Sequence, residues 1–150
     1  MTCRQLKSDE EIPMDLLLLA DPSKSIITSY IHRARCFIAE LNQRIVGEYV
    51  LLATRPQTAE IVNLAVSEDM QGRGIGRQLV LHAVELARQD GFKKLEIGTG
   101  NSSLGQLALY QKCGFRMASI DRNFFTRHYP QPIYENGLQC RDMVRLAMNL

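Results

Sequence analysis

The seven residues Gln71-Gly72-Arg73-Gly74-Ile75-Gly76-Arg77 combine alternating glycines with two cations. Such glycines let a backbone approach a ligand closely and turn its amides inward. A helix starting at the same point would add roughly half a positive charge at its N-terminus. Together these features suit a pyrophosphate, with Arg73 and Arg77 supplying further charge. Neither G-x-x-x-x-G-K-[ST] nor G-x-G-x-x-G is present, because Arg77 stands beyond Gly76 where the latter motif continues toward a third glycine. Tight packing of a strand against a helix is the competing explanation for the same glycines.

The elements around this turn are legible from periodicity. Glu60 to Val66 is an apolar run that reads as a central strand. Gly74 to Asp90 carries Ile75, Leu79, Ala83 and Leu86 on one helical face, widened by Val80 and Ala87, with Leu81 misplaced on the polar side. Gly91 suits the helix end, Lys93 to Thr99 forms a further strand, and Ser103 to Lys112 a second helix closed by Gly114. Upstream, Thr2 to Leu6 predicts a short strand, and Ser8 to Glu11 an acidic helix start running into Ile12 to Ala20, stopped by Asp21-Pro22. A short helix over Ser25 to Ile31 precedes strands at Arg35 to Leu41 and Arg44 to Thr54, joined by an Asn42-Gln43 turn. Phe115 to Asn123 and Cys140 to Met148 complete the strands, separated by an aromatic, Pro-bearing loop from Phe124 to Gln139. The order β-α-α-β-β-β-α-β-α-β-β predicts an α/β (α+β) mixed sheet of about seven strands, mostly antiparallel, flanked by helices. A parallel step is expected across each crossover helix.

Gln71, Gly74 and Gly76 form Q-x-x-G-x-G after an Asn-Leu-Ala-Val strand, with Asn101, Ala108-Leu109-Tyr110 and Gly114-Phe115 following. This set, within residues 60 to 115, resembles the GNAT acyl-CoA N-acyltransferase superfamily. The resemblance implies the GNAT fold over a single domain spanning 1–150, with acetyl-CoA as co-substrate. It lies in a V-shaped gap between the strands at Asn63 to Val66 and Leu95 to Thr99. By the same resemblance, main-chain groups of the Leu64-Ala65-Val66 stretch bind the pantetheine arm and acetyl carbonyl. The amides of Gln71, Gly72, Arg73, Gly74, Ile75 and Gly76, beside Arg77, hold the pyrophosphate. Asn101 matches an asparagine that contacts the cofactor arm; a plain helix cap is its alternative role.

Acetyl transfer to an amine needs a neutral amine, a stabilised oxyanion and a protonated leaving thiolate. A lysine-like amine is neutral about once in 2,500 molecules at pH 7, a handicap of about 4.6 kcal/mol. A general base is therefore useful. Glu60 is similar in context to the base glutamate of histone acetyltransferases, and Glu96 to that of ribosomal-protein N-terminal acetyltransferases. Both remain open, as do a water relay and simple desolvation. Tyr110 falls where the family places its general acid, and the Val66 amide is the expected oxyanion donor. Direct attack in a ternary complex needs no acyl-enzyme cysteine, so Cys113 reads as a small buried apolar residue. The aromatic stretch after Phe124 is expected to line the acceptor pocket together with Ser25 to His32.

Composition narrows the function classes. The 150 residues carry 18 Lys plus Arg against 16 Asp plus Glu, a balance too even for a broad polyanion-binding face. No nucleic-acid partner is expected. Cys3, Cys36, Cys113 and Cys140 are widely spaced, with no zinc pattern, which predicts no metal and a reduced setting. The apolar run at Leu16 to Ala20 is far below the ~20 residues that span a bilayer, and acidic residues precede it. The reading is a cytoplasmic N-acetyltransferase that acetylates a primary amine of a small molecule. A non-catalytic acyl-CoA sensor and a protein N-terminal or lysine acetyltransferase are the alternatives, and a homodimer is compatible with the sequence.

Overall fold

The computed structural model describes residues 1–150. Its elements are β1 (Thr2–Gln5), α1 (Met14–Ala20), α2 (Lys24–Ile31), β2 (Arg35–Leu41), β3 (Arg44–Arg55) and β4 (Thr58–Val66). A 3-10 turn at Glu68–Met70 then leads to α3 (Ile75–Gln89), β5 (Lys94–Gly100), α4 (Leu104–Lys112) and β6 (Arg116–Asp121). The chain ends with α5 (Phe124–His128), β7 (Ile133–Glu135), β8 (Leu138–Cys140) and β9 (Met143–Asn149). Seven strands form one mixed sheet in the order β1-β2-β3-β4-β5-β9-β6, while β7 and β8 form a separate hairpin.

The turn chemistry explains much of this path. Asn42 and Gln43 both adopt left-handed backbone, with φ of 52° and 66°, which matches the twist of a two-residue hairpin between β2 and β3. Within α3 the buried residues are Ile75, Leu79, Val80, Ala83, Val84 and Ala87, and Leu81 is exposed as its position on the polar face requires. Gly47 lets α3 sit directly on β3: a Cβ there would stand 2.9 Å from Leu79 Cδ1 and 3.2 Å from the Ala65 carbonyl oxygen. The main core lies between the sheet and the α3–α4 side, where Tyr49, Ile61, Leu79, Leu95, Phe115 and Leu146 pack together. A smaller core forms on the opposite face, where Leu17, Ile27, Tyr30 and Ile31 pack against Val50 and Leu52. Asn63 pins that layer, its Nδ2 donating to the Leu17 carbonyl and to Tyr30 Oη, each at 3.1 Å.

Three expectations are corrected. The first helix begins at Met14 rather than in the acidic segment, because Arg4 takes both Glu10 oxygens at 2.7 Å and the Lys7 N–H donates to the same carboxylate. Those partners hold Glu10 in a turn and lower its pKa to about 2. The parallel step occurs across α3, where β4 pairs with β5, but not across α4, because β9 inserts between β5 and β6. Residues 124–139 are not a loop: they contain α5 and the first part of a hairpin whose Asn136-Gly137 turn has φ of 54° and 75°.

Candidate active site

β4 and β5 pair in parallel only from Thr58↔Lys94 to Ile61↔Ile97. At the next residue β4 carries a bulge: Ile61 pairs with Leu51 and Asn63 with Val50, leaving Val62 without a partner on β3. A bulge bends its strand and ends pairing locally. From Val62 onward β4 therefore leaves β5, opening a V-shaped gap that starts slightly later on β5 than the sequence suggests, at Gly98 rather than Leu95. The gap passes through the sheet. Its larger cavity, of about 460 Å³, is lined by β4 residues Ile61 to Leu64, β5 residues Ile97 to Gly100, Tyr110 of α4, and residues 18–22 at the end of α1.

A smaller cavity of about 250 Å³ adjoins it, sharing Leu19, Ala20, Leu64 and Gln106. Its walls include Ala65, Val66, Gln71, Gly72, Gly74, Ile75 and Gly76. Gly72 and Gly74 have φ of 78° and 81°, a left-handed backbone that a side chain would strain. Gly74 is also the N-cap of α3, with no side chain to satisfy the free N–H groups of the first turn. Arg73 and Arg77 are exposed and line neither cavity. The turn is anchored from beneath by Gln71, whose Nε2 donates to the Val66 carbonyl at 3.1 Å.

The orientation of β4 follows from its other edge. The Ser67 N–H donates to the Val46 carbonyl on β3. Strand alternation turns the Val66 N–H the opposite way, into the gap. Tyr110 faces the same gap at 4% exposure, and burial raises its pKa, so the phenol stays protonated across the physiological range.

The expected carboxylates are placed differently. Glu60 and Glu96 are partners in the β4–β5 ladder, side by side on the paired half of the strands, and neither lines a cavity. Glu96 is bound by Arg55 at 2.7 Å, with Lys94 at 3.9 Å. Glu60 has only Arg145 at 4.0 Å, and desolvation raises its pKa above the usual carboxylate value. Asn101 also lies outside both cavities. Its Oδ1 accepts from the Arg141 and Asp142 N–H groups at 2.8 and 3.0 Å, and its Nδ2 donates to the Gln139 carbonyl. It caps no helix, and its side chain fastens the β8–β9 connection to the end of β5.

The aromatic stretch lines the larger cavity through Phe125, Tyr129, Ile133 and Glu135, but Ser25 to His32 does not. Ile27, Tyr30 and Ile31 are committed to the smaller core, and the turn at Asp21-Pro22 takes their place. Asp21 Oδ1 accepts from Tyr129 Oη at 2.7 Å, bridging the two walls. Asn63 and Thr99, on the strands expected to wall the gap, do line it; Asp21, expected only as a helix stop, lines it too, together with Gln106 and Cys140, for which no local signal predicts a site role. The Asn136-Gly137 pair between two apolar-alternating triplets was the signal for the hairpin that brings Glu135 and Cys140 there. Cys140 is buried and its thiol pKa is raised, which disfavours the nucleophilic thiolate. Cys113 is half-buried, with its thiol also pushed up.

A parallel strand pair that splays at a bulge, beside a glycine turn opening a helix, defines the acyltransferase class of site. The family model for "Acetyltransferase (GNAT) family" matches residues 5–115, and the chain belongs to that family. It is an N-acetyltransferase. It is 60% identical over 136 residues to an uncharacterized N-acetyltransferase, YvbK, of Bacillus subtilis, covering 91% of this chain and 88% of the relative. A GNAT family acetyltransferase from Elizabethkingia anophelis with acetyl-CoA bound is 49% identical, with a TM-score of 0.97 over 99% of this chain and 97% of its own. An IAA acetyltransferase from Bacillus cereus is 54% identical, with a TM-score of 0.96 over 99% of both chains. No helix is long and apolar enough to cross a membrane, and no group of three or more His, Cys, Asp or Glu is placed to hold a metal ion.

Proposed function

We propose that residues 1–150 act as one catalytic unit that transfers the acetyl group of acetyl-CoA to a primary amine of a small cationic molecule. The observation that carries this reading is the gap beginning beyond Ile61 and Ile97, with the left-handed glycine turn at one end and the buried Tyr110 beside it. The N–H groups of Gly72 to Gly76 and the first turn of α3 hold the pyrophosphate, and the exposed Arg73 and Arg77 add charge beside them. The β4 edge at Leu64 to Val66 receives the pantetheine arm. Asn101 is left out of the cofactor contacts because its amide is already engaged.

The amine nitrogen attacks the thioester carbonyl carbon, a C–N bond forms, and the oxygen takes negative charge facing the Val66 N–H. One such preorganised donor is worth about 3 to 4 kcal/mol. The C–S bond then breaks, and the sulfur takes the Tyr110 proton. The proton lost by the amine reaches Glu60 through water, since Glu60 lines neither cavity and its raised pKa makes it the stronger base. Glu96 is reserved by Arg55. The elevated Cys140 and Cys113 thiols support direct transfer without an acyl-enzyme.

Charge selects the acceptor. The ionisable carboxylates lining the larger cavity are Asp21 and Glu135, and no Lys, Arg or His lines it. A cavity of one sign concentrates ligands of the other. The Tyr129–Asp21 bridge joins two walls of the cavity, which supports a small molecule over a folded protein surface as acceptor. Four free cysteines suit a reducing cytoplasm.

The test follows release of free coenzyme A with a panel of small amines. Cationic amines should turn over, amines bearing a carboxylate should not, and Glu135→Gln should raise KM for the former. Binding of acetyl-CoA with no release across the panel would replace this reading with an acyl-CoA sensor.

A further inference from the structure

β6 closes one side of the sheet, so one row of its backbone N–H and C=O groups has no strand beside it. Five of its six residues are exposed. Such an edge is a template for another strand. Its register makes it unusual. Met117 pairs with Leu146 and Ser119 with Arg145, leaving Ala118 as an extra residue, and Ile120 then pairs with Val144. Directly opposed residues share a face of the sheet. The bulge therefore puts Met117 and Ile120 on the same face as Leu146 and Val144, the face that α3 and α4 cover elsewhere. Beyond α4 nothing covers them, and they are 58% and 61% exposed. Arg116 and Asp121, opposite Ala147 and Met143, take the other face.

Read in either direction the strand runs charged, apolar, small, small, apolar, charged, with opposite charges at its ends: Arg116-Met117-Ala118-Ser119-Ile120-Asp121. We propose that β6 pairs antiparallel with β6 of a second copy about a twofold axis between Ala118 and Ser119. Arg116 then faces the partner's Asp121, and Met117 the partner's Ile120, each contact occurring twice. The faces agree as well, since each apolar residue meets an apolar residue on the α4 side and each charge meets its opposite on the other side. A slip of two residues in either direction loses both ion pairs and both apolar contacts, so the register is unique. Asp121 already accepts from Arg127 at 2.9 Å through Oδ1, leaving Oδ2 for the partner's Arg116. The closed twofold arrangement consumes the edge and prevents open-ended growth.

Sedimentation velocity over a wide concentration range tests this. The wild-type chain should sediment at twice the monomer mass. Arg116→Asp makes the edge acidic at both ends and Asp121→Arg makes it basic at both ends, so each variant alone should be monomeric. An equimolar mixture of the two should restore the dimer, because each acidic end then meets a basic one. A monomeric wild type, a dimer that survives both single changes, or a mixture that stays monomeric would each overturn the proposal. Acetyl-CoA binding and the thermal melt report that the variants are folded, since β6 lines neither cavity. If either charge variant fails to fold, Met117→Ser combined with Ile120→Ser decides the matter: a monomer supports the interface and a dimer refutes it.

Discussion

Ile61 and Ile97 form the last rung between β4 and β5, and the unpaired Val62 follows immediately. The bulge and the end of the ladder coincide, so a single extra residue on β4 both terminates the parallel pairing and turns the strand's amides toward open space. The β4 edge proposed to receive the acetyl group is exposed by this one-residue offset.

Tyr110→Phe removes the phenolic proton while keeping the ring that packs 6.3 Å from Phe115. Turnover should fall about a hundredfold or more, the usual contribution of a positioned acid, with the Kd for acetyl-CoA unchanged by calorimetry. Equal kcat would show that the leaving thiolate takes its proton elsewhere.

Gly74→Glu combines a side chain at φ of 81° with a negative charge where a pyrophosphate should sit. A Cβ at Gly74 meets nothing within 4 Å, so Gly74→Ala suffers only backbone strain and provides the steric control. The glutamate variant should weaken acetyl-CoA binding at least about tenfold, equal to about 1.4 kcal/mol, and the alanine variant much less. Similar titrations for both would remove charge from the explanation.

The two ladder glutamates should separate in their pH profiles. A base must be ionised, and Glu60 has its pKa raised by burial, so kcat/KM should climb with pH through that elevated value and level off above it. Glu60→Gln should abolish this limb, whereas Glu96→Gln should preserve it while freeing Arg55. Loss of the limb in Glu96→Gln alone would reverse the assignment.

Glu48 is fully buried on β3, and neither carboxylate oxygen has a hydrogen-bond partner. Desolvation raises its pKa well above 4.5, so the folded chain keeps a proton that the unfolded chain gives up. Stability from this group is complete below pH 4.5 and declines as pH rises toward the folded value. Glu48→Gln should remove that decline, so that its stability relative to the wild type improves as pH rises above 4.5. Denaturant melts at several pH values measure the difference, and a gap that widens toward acid would contradict it.

Local signals were sufficient wherever an element is built by its own residues. The α3 face, the Asn42-Gln43 hairpin and the glycine turn at Gly72 to Gly76 follow from spacing and backbone freedom, and the structure contains each of them. The strand content and mixed sheet were likewise legible, as was the family that the Q-x-x-G-x-G turn and Tyr110 resemble. The Asn136-Gly137 turn signal is present in the sequence, but the aromatic, Pro-bearing residues around it carry no strand period long enough to predict the β7–β8 hairpin.

What the tertiary structure decided is where long-range partners compete. Glu10 left the expected helix because Arg4, on a neighbouring strand, binds it. Asn101 lines neither cavity, and its amide is engaged by the β8–β9 connection. β9 entered between β5 and β6 after a chain excursion that no local period records. Asp21 became part of a cavity wall through Tyr129, 108 positions away. Periodicity reports which face of an element is apolar, but not which distant group will satisfy a charge or an amide. Those choices depend on atoms meeting in three dimensions, and here they separate Glu60 and Glu96 on the paired strands from the cavity in the gap.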